Sequence, residues 1–261
     1  MIAIDTHVHW HKIFGIDDVL TSAEGNLNKA ASQIGGSHGC TAVLLVAGIG
    51  DEDLRSRFES LSSKKWVIAA TEERNTLVAR TSDNRSVYLI LGSQVISEEG
   101  LEVLGYLPNH KVKGGSEIEK IIKNIRASGG IAIVPWGFGK WIGKRKSVVE
   151  NLIDTWENNF WIGDNGGRSK LLPYPGIFRL TQKRGIRILP GSDPLPIANE
   201  LSRFGTCGFC LEGELDEKAP LRQIVGQLEN PRVKIKPFAR YIGFADFLTK
   251  QIRLRWLRLK S

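Results

Sequence analysis

Ser116-Glu117-Ile118-Glu119-Lys120-Ile121-Ile122-Lys123-Asn124-Ile125-Arg126-Ala127-Ser128-Gly129-Gly130-Ile131-Ala132-Ile133-Val134 packs a helix and the strand after it into one short stretch. The Ser-x-x-Glu opening has the form of a capping box, in which two side chains satisfy the first free N–H groups of a helix. Isoleucines at 118, 121, 122 and 125 then recur on one face, and the Gly129-Gly130 pair ends the segment. Ile131 to Val134 is an unbroken apolar run of strand length, the pattern of a strand covered on both faces. The same alternation repeats outward in both directions. Ile16, Leu20, Ala23, Leu27, Ala31 and Ile34 form a helical stripe closing on Gly35-Gly36, and Ser147-Val148-Val149-Glu150 opens a second capping box before Leu152, Ile153 and Trp156. Strands are expected at residues 2–4, 42–46, 66–70, 87–91, 131–134, 160–162 and 186–189. Strand and helix in alternation predict an α/β fold with a parallel sheet and right-handed crossovers. About seven such units fit a closed or nearly closed (β/α) barrel, with an open doubly wound sheet as the alternative.

The 261 residues suffice for one large core, and a charged fraction of 25% is ordinary for a folded domain. No apolar run is long enough to span a bilayer. The opening residues lack a basic flank and apolar core of signal-peptide type, and three cysteines are an odd number, so a cytoplasmic protein with free thiols is expected. The net charge of +8 is confined to one end. Residues 231–261 carry nine Lys or Arg and one acid, whereas residues 1–230 hold 27 of each sign. This predicts a neutral barrel domain over 1–230 followed by a basic amphipathic helix over 231–261. In that helix Phe244, Phe247, Leu248, Ile252, Trp256 and Leu259 lie at helical spacing beside Arg253, Arg255, Arg258 and Lys260. Packing on the barrel with snorkelling bases is the favoured role, ahead of contact with nucleic acid or an anionic membrane.

The chemistry concentrates directly after the first strand, in Asp5-Thr6-His7-Val8-His9. Residues two apart on an extended chain share a face, so His7 and His9 are placed to grip one ion, with Asp5 on that face either ligating or orienting an imidazole. His11 has the same parity further out. The run Leu189-Pro190-Gly191-Ser192-Asp193-Pro194 closes the last clear strand, where a barrel gathers its site residues. Asp193 is therefore either a third ligand or the N-cap of a helix around residues 197–204. Glu72 and Glu73 are expected to open a helix toward Val78, with ligation the lesser alternative. The glycine-rich segments 136–146 and 164–168 bring Lys140 and Arg168 as donors to a phosphate, and Trp136, Phe138 and Trp141 as an apolar cover. Cys207 and Cys210 form a Cys-x-x-Cys without further ligands nearby and read as buried thiols.

Asp5-x-His7-x-His9, the Gly129–Pro135 run, the segment Gly92–Tyr106 and Gly191-Ser192-Asp193 together resemble the polymerase and histidinol phosphatase (PHP) superfamily across about residues 1–215. The resemblance implies a distorted seven-stranded TIM-like barrel holding divalent ions, many of whose members hydrolyse phosphoesters. Residue by residue it points to metal ligation by His7, His9 and Asp193, with Glu102 at a position where the family has a ligand. Gln94 stands where the family has a bridging Glu, Trp136 where it has a His, and Pro194 where another His is usual. The remaining oxygen donors are Glu102 and Asp164. The resulting expectation is a metal-dependent hydrolase, a phosphoesterase with one or two Zn, Mn or Fe ions. Asp5, Glu102, Lys140 and Arg168 are its catalytic candidates, and a small phosphorylated molecule is its substrate. The alternatives are an amidohydrolase-like enzyme cleaving amides or lactones and a barrel that binds a ligand without catalysis.

Overall fold

The opening apolar run of the chain does not stop at the first acid. In the computed structural model, which describes residues 1–35, 39–50, 52–155 and 160–250, strand β1 (Ile2–Val8) carries straight through Asp5 and His7. Helix α1 (Ile16–Gln33) follows, with Gly35 in the left-handed region at φ 104° just beyond it. Next come β2 (Thr41–Ile49), α2 (Leu54–Ser60), β3 (Val67–Ala70), β4 (Thr76–Arg80), β5 (Ser86–Ile96) and β6 (Glu102–Tyr106). The second half contains α3 (Ile118–Ala127), β7 (Ile131–Trp136), α4 (Lys144–Thr155), β8 (Trp161–Asn165), α5 (Gly176–Lys183) and β9 (Ile188–Gly191). A 3-10 turn (Ala198–Arg203), β10 (Cys207–Leu211), α6 (Pro220–Glu229) and β11 (Lys236–Ala239) complete the named elements, and residues 244–250 are helical.

All strands join one mixed sheet in the order β11-β10-β1-β2-β5-β6-β7-β8-β9, with the β3–β4 hairpin attached to β5. Among the named strands, β1–β2, β2–β5, β7–β8 and β8–β9 pair in parallel and the others antiparallel; the expected parallel sheet is therefore corrected to a mixed one. The antiparallel members β4, β6, β10 and β11 add to the strands expected from the sequence, and β4 replaces the helix expected after Glu73. The sheet curls until β9 meets β1. The Asp193 N–H donates to the His7 carbonyl at 2.7 Å, and the Thr6 hydroxyl donates to the Pro190 carbonyl at 2.9 Å. The result is a mixed α/β molecule built on a nearly closed, barrel-like sheet.

Side-chain alternation sorts the core. Ile2, Ile4, Val43, Leu45, Ile90, Leu104, Ile133 and Phe209 fill the interior. Ala3, Val8, Leu44 and Val46 point the other way, under α1 and α2, while Ala132, Val134 and Ile162 meet α3, α4 and α5. Burying each large apolar side chain stabilises by about 1.5–3 kcal/mol relative to leaving it exposed. The four α3 isoleucines are buried as expected, but the capping box does not form. Glu117 is the N-cap residue without a side-chain bond, and the Glu99 carboxylate accepts from the Ile118 N–H at 3.1 Å instead. Nor does Ser147 cap α4, which starts three residues earlier.

The sheet does not stop at residue 230, because β11 pairs with β10; the tail is a strand before it is a helix. Phe247 of the final turns is buried. Gly36, Trp156 and the tail positions Ile252, Arg253, Arg255, Trp256, Arg258, Leu259 and Lys260 lie outside the described residues. Among the described residues, no helix is long and apolar enough to cross a membrane.

Candidate metal centre

Strand β1 positions two imidazoles through an irregularity. Its register with β2 advances from Asp5↔Leu44 to Val8↔Val46, three residues against two, which is one extra residue in β1. Before this bulge the even residues Ile2 and Ile4 face the interior; after it Val8 faces outward. An inserted residue exchanges the faces of a strand. His7 and His9 consequently leave Asp5 behind, and the expectation that Asp5 shares their face is corrected. Its carboxylate is fully buried away from them and accepts four hydrogen bonds. Oδ1 receives the N–H groups of His7 (3.3 Å) and Ser192 (2.9 Å), and Oδ2 the Ser192 hydroxyl (2.5 Å) and the Gly205 N–H (2.9 Å). Burial outweighs these bonds and lifts the Asp5 carboxyl to about 7. Asp5 ties β1 to the segment after β9 and acts as a structural anchor.

The segment after β9 brings the third donor. Asp193 sits at φ 43°, a left-handed backbone that costs a non-glycine residue about 1 kcal/mol or more and that Asp tolerates better than most. It places Oδ1 3.7 Å from His7 Nε2 and 3.8 Å from His9 Nε2, while the two Nε2 atoms lie 3.0 Å apart. His7, His9 and Asp193 thus form a group whose ligand atoms all lie within 4.8 Å of one another, the arrangement needed to hold a metal ion. Gln94 Oε1 approaches His9 Nε2 at 3.1 Å.

A carbonyl only accepts, so the 2.8 Å contact between His9 Nδ1 and the Ala47 carbonyl places a proton on Nδ1 and turns Nε2 toward His7 and Asp193. Burial holds the His7 imidazole neutral, lowering it to about 3 despite the attraction of Asp193. Burial alone would raise the Asp193 carboxyl, but His7, His9, Lys140 and the Asn165 amide prevail and keep it at about 2. Two imidazole nitrogens and a carboxylate oxygen face one another, with an amide oxygen beside them. A cation at their centre satisfies all four, and borderline nitrogen plus hard oxygen is a donor set suited to zinc, iron or manganese. The residues fit a divalent ion.

The other candidates are placed as follows. Glu102 is not within the group; its carboxylate pairs with Lys140 Nζ at 2.5 Å on the wall of the same cavity. Asp164 is directed to the outer face with Ile162, where it binds Arg168 at 3.0 Å and accepts the Tyr241 hydroxyl at 2.5 Å; ligation by Asp164 is corrected on this ground. Its neighbour Asn165 reaches the site instead, donating to Asp193 Oδ2. Strand alternation held the signal for this, since Trp161 faces the interior and Asn165 has its parity. Arg168 lines the cavity, stacked 4.1 Å from the Tyr241 ring centroid. His11 lines it too, its Nε2 3.0 Å from the Pro194 carbonyl. Asp193 is not an N-cap; Ile197 precedes the 3-10 turn. Glu73 is neither a ligand nor a helix start. Buried beside the β3–β4 turn, it caps α6 by accepting from the Leu221 and Arg222 N–H groups at 2.9 and 3.0 Å. Cys207 and Cys210 are buried free thiols, each pushed by burial up to about 11.

The cavity above the centre has a volume of about 590 Å³. Trp136, Phe138 and Trp141 form an apolar wall, with Lys140 and Arg168 as cations. Two further lining residues, Phe247 and Lys250, come from the helical residues 244–250 and are not among the site candidates read from the sequence. Phe247 packs edge-on against Phe138 with centroids 5.2 Å apart, and Lys250 pairs with buried Glu200 at 2.5 Å.

The whole chain shares its fold with PsfC. That crystal structure, from Pseudomonas syringae PB-5123, superposes with a TM-score of 0.54 at 15% identity and covers 98% of both chains. Similarity at this identity establishes the fold alone. No family model and no curated protein matches the sequence.

Proposed function

We propose that this chain is a metal-dependent hydrolase, a phosphoesterase on a divergent barrel of the PHP type. The reading rests on one observation: His7 and His9 from β1 and Asp193 from beyond β9 converge beside a cavity that Lys140 and Arg168 line. Support for the barrel type comes from the seven consecutive sheet strands β1-β2-β5-β6-β7-β8-β9, whose two ends meet beside His7. A divalent ion held by His7, His9 and Asp193, with Gln94 adjacent, supplies Lewis acidity and a nucleophile at neutral pH.

The chain's own groups do the rest. Lys140 and Arg168 bind the phosphoryl oxygens by charge-assisted bonds, with Arg168 held in place by Asp164 and Tyr241. A phosphate that takes Lys140 frees Glu102, whose Oε2 then accepts a proton from the attacking water. Trp136 and Phe138 shield the reacting groups from bulk water. A second reading, anion binding without turnover, is favoured by Gln94, which is neutral where a carboxylate would hold a further ion. Assay of a generic aryl phosphate with added Zn, Mn or Fe separates the two. Turnover that falls at least about 100-fold in Lys140→Met, at unchanged metal content, supports the hydrolase. Phosphate that raises the melting temperature without turnover supports the binding barrel, and cleavage of a lactone or amide in place of the phosphoester moves the reaction to the amidohydrolase class.

A further inference from the structure

Of the ten large apolar side chains left exposed among the described residues, six fall on three segments, while Ile13, Ile49, Val67 and Ile96 lie elsewhere. Phe138 and Ile142 lie in the loop after β7, Leu171 and Tyr174 in the loop after β8, and Phe244 and Leu248 on the helical residues 244–250. Ile142 and Leu171 are 72% and 76% exposed, and Leu248 is 46% exposed, although none of the three lines the cavity. The three segments are neighbours. The Lys170 N–H donates to the Ile242 carbonyl at 3.2 Å, Ser169 bridges Ile242, and the Phe138 ring meets Phe247. One face, at the mouth of the cavity, therefore collects side chains that folding left in water. A patch of this kind marks an interaction surface.

Charge identifies the partner. The same segments carry Lys144, Arg145, Lys146 and Lys170 as exposed bases, with Asp246 as the acid of residues 240–250. The chain beyond Lys250 adds Arg253, Arg255, Arg258 and Lys260 and no acid, interleaved with Ile252, Leu254, Trp256, Leu257 and Leu259. Bases favour any polyanion, but the most exposed apolar groups of the face, Ile142 and Leu171, are aliphatic, as are Leu248 and most of the tail's apolar residues, and such groups do not stack on nucleotide bases. They do enter the boundary between headgroups and acyl chains while Lys and Arg hold anionic lipids. We infer that the cavity-mouth face, formed by residues 138–146, 170–174 and 244–250, docks on an anionic lipid bilayer as a peripheral contact. Ile142, Leu171 and Leu248 make this surface separable from the metal centre, since none of the three lines the cavity.

The test uses the full-length chain with sedimented vesicles, of phosphatidylcholine alone or of phosphatidylcholine mixed with phosphatidylserine. Binding to the mixed vesicles, weaker to the neutral ones and falling as salt rises, is expected. The double variant Leu171→Ser, Leu248→Ser should weaken it by about tenfold or more without altering metal content. Should that variant fail to fold, the wild-type comparison of the two vesicles decides by itself. Equal or absent binding to both vesicle types overturns the proposal. So does a patch occupied by a second copy of the chain, seen as a dimer lost in the double variant, or binding of single-stranded RNA with no binding of vesicles.

Discussion

Gly191→Ala tests how β9 closes on the metal centre. A methyl group there would sit 2.4 Å from His7 Cβ, 2.6 Å from His7 N and 2.9 Å from His7 Cα, distances at which something must shift. The obstacle is the backbone of a strand, not the tip of a mobile side chain. Both strands are also pinned: the Gly191 carbonyl accepts from the Gly166 N–H at 2.7 Å, and the Ser192 N–H donates to Asp5 at 2.9 Å. Overpacking costs about 1–3 kcal/mol, and each hydrogen bond loosened to relieve it about 1 kcal/mol. The substitution should therefore destabilise by about 3 kcal/mol, read as a lower urea midpoint at unchanged slope, and should reduce bound metal because it displaces His7. Gly226→Ala is the control. It lies inside α6 with nothing within 4 Å of an added methyl, so it should stabilise by about 0.5–1 kcal/mol. A Gly191→Ala protein within about 0.5 kcal/mol of wild type, with full metal content, would refute the reasoning.

Glu73→Ala should destabilise by about 2 kcal/mol, because it strands two N–H groups at the start of α6, and should leave metal content unchanged; denaturant unfolding with elemental analysis checks both. The third prediction concerns acid. His7 is lowered to about 3 in the folded chain against 6.5 unfolded, so between those values the unfolded state binds the extra proton and stability falls as pH falls. Acidification from pH 6.5 toward 3 should therefore cost the chelator-treated protein more stability than it costs a variant lacking this imidazole, by up to about 5 kcal/mol, the Asp5 carboxyl at about 7 acting in the opposite sense in both. A His7→Gln variant should show a shallower slope over that window; an identical slope would mean that His7 does not carry it.

Much of this could be read from the residues, and the failures share a cause. Uniform apolar runs such as Val43–Val46 and Ile131–Val134 are strands whatever their neighbours do, and the α1 and α3 stripes need only their own periodicity. Short strands such as Thr76–Arg80 and Cys207–Leu211 owe their existence to the partners they pair with, which local pattern does not contain. The site follows the same division. The pairing of His7 with His9 survives because both lie beyond the bulge, whereas Asp5 lies before it, and counting by twos cannot reveal an inserted residue. Asp164 reads as a further oxygen donor in the sequence, yet alternation turns it outward to Arg168. The acid that caps α3 comes from Glu99, nineteen residues before the Ile118 N–H it receives, out of reach of any local capping motif.

Elemental analysis of the purified full-length chain beside His9→Ala, Asp193→Ala and Asp164→Asn bears most directly on the whole account. Wild type and Asp164→Asn should carry about one divalent ion per chain, and the other two little or none. A wild-type chain that takes up no divalent metal, or one that keeps it after both His9 and Asp193 are removed, would contradict the account.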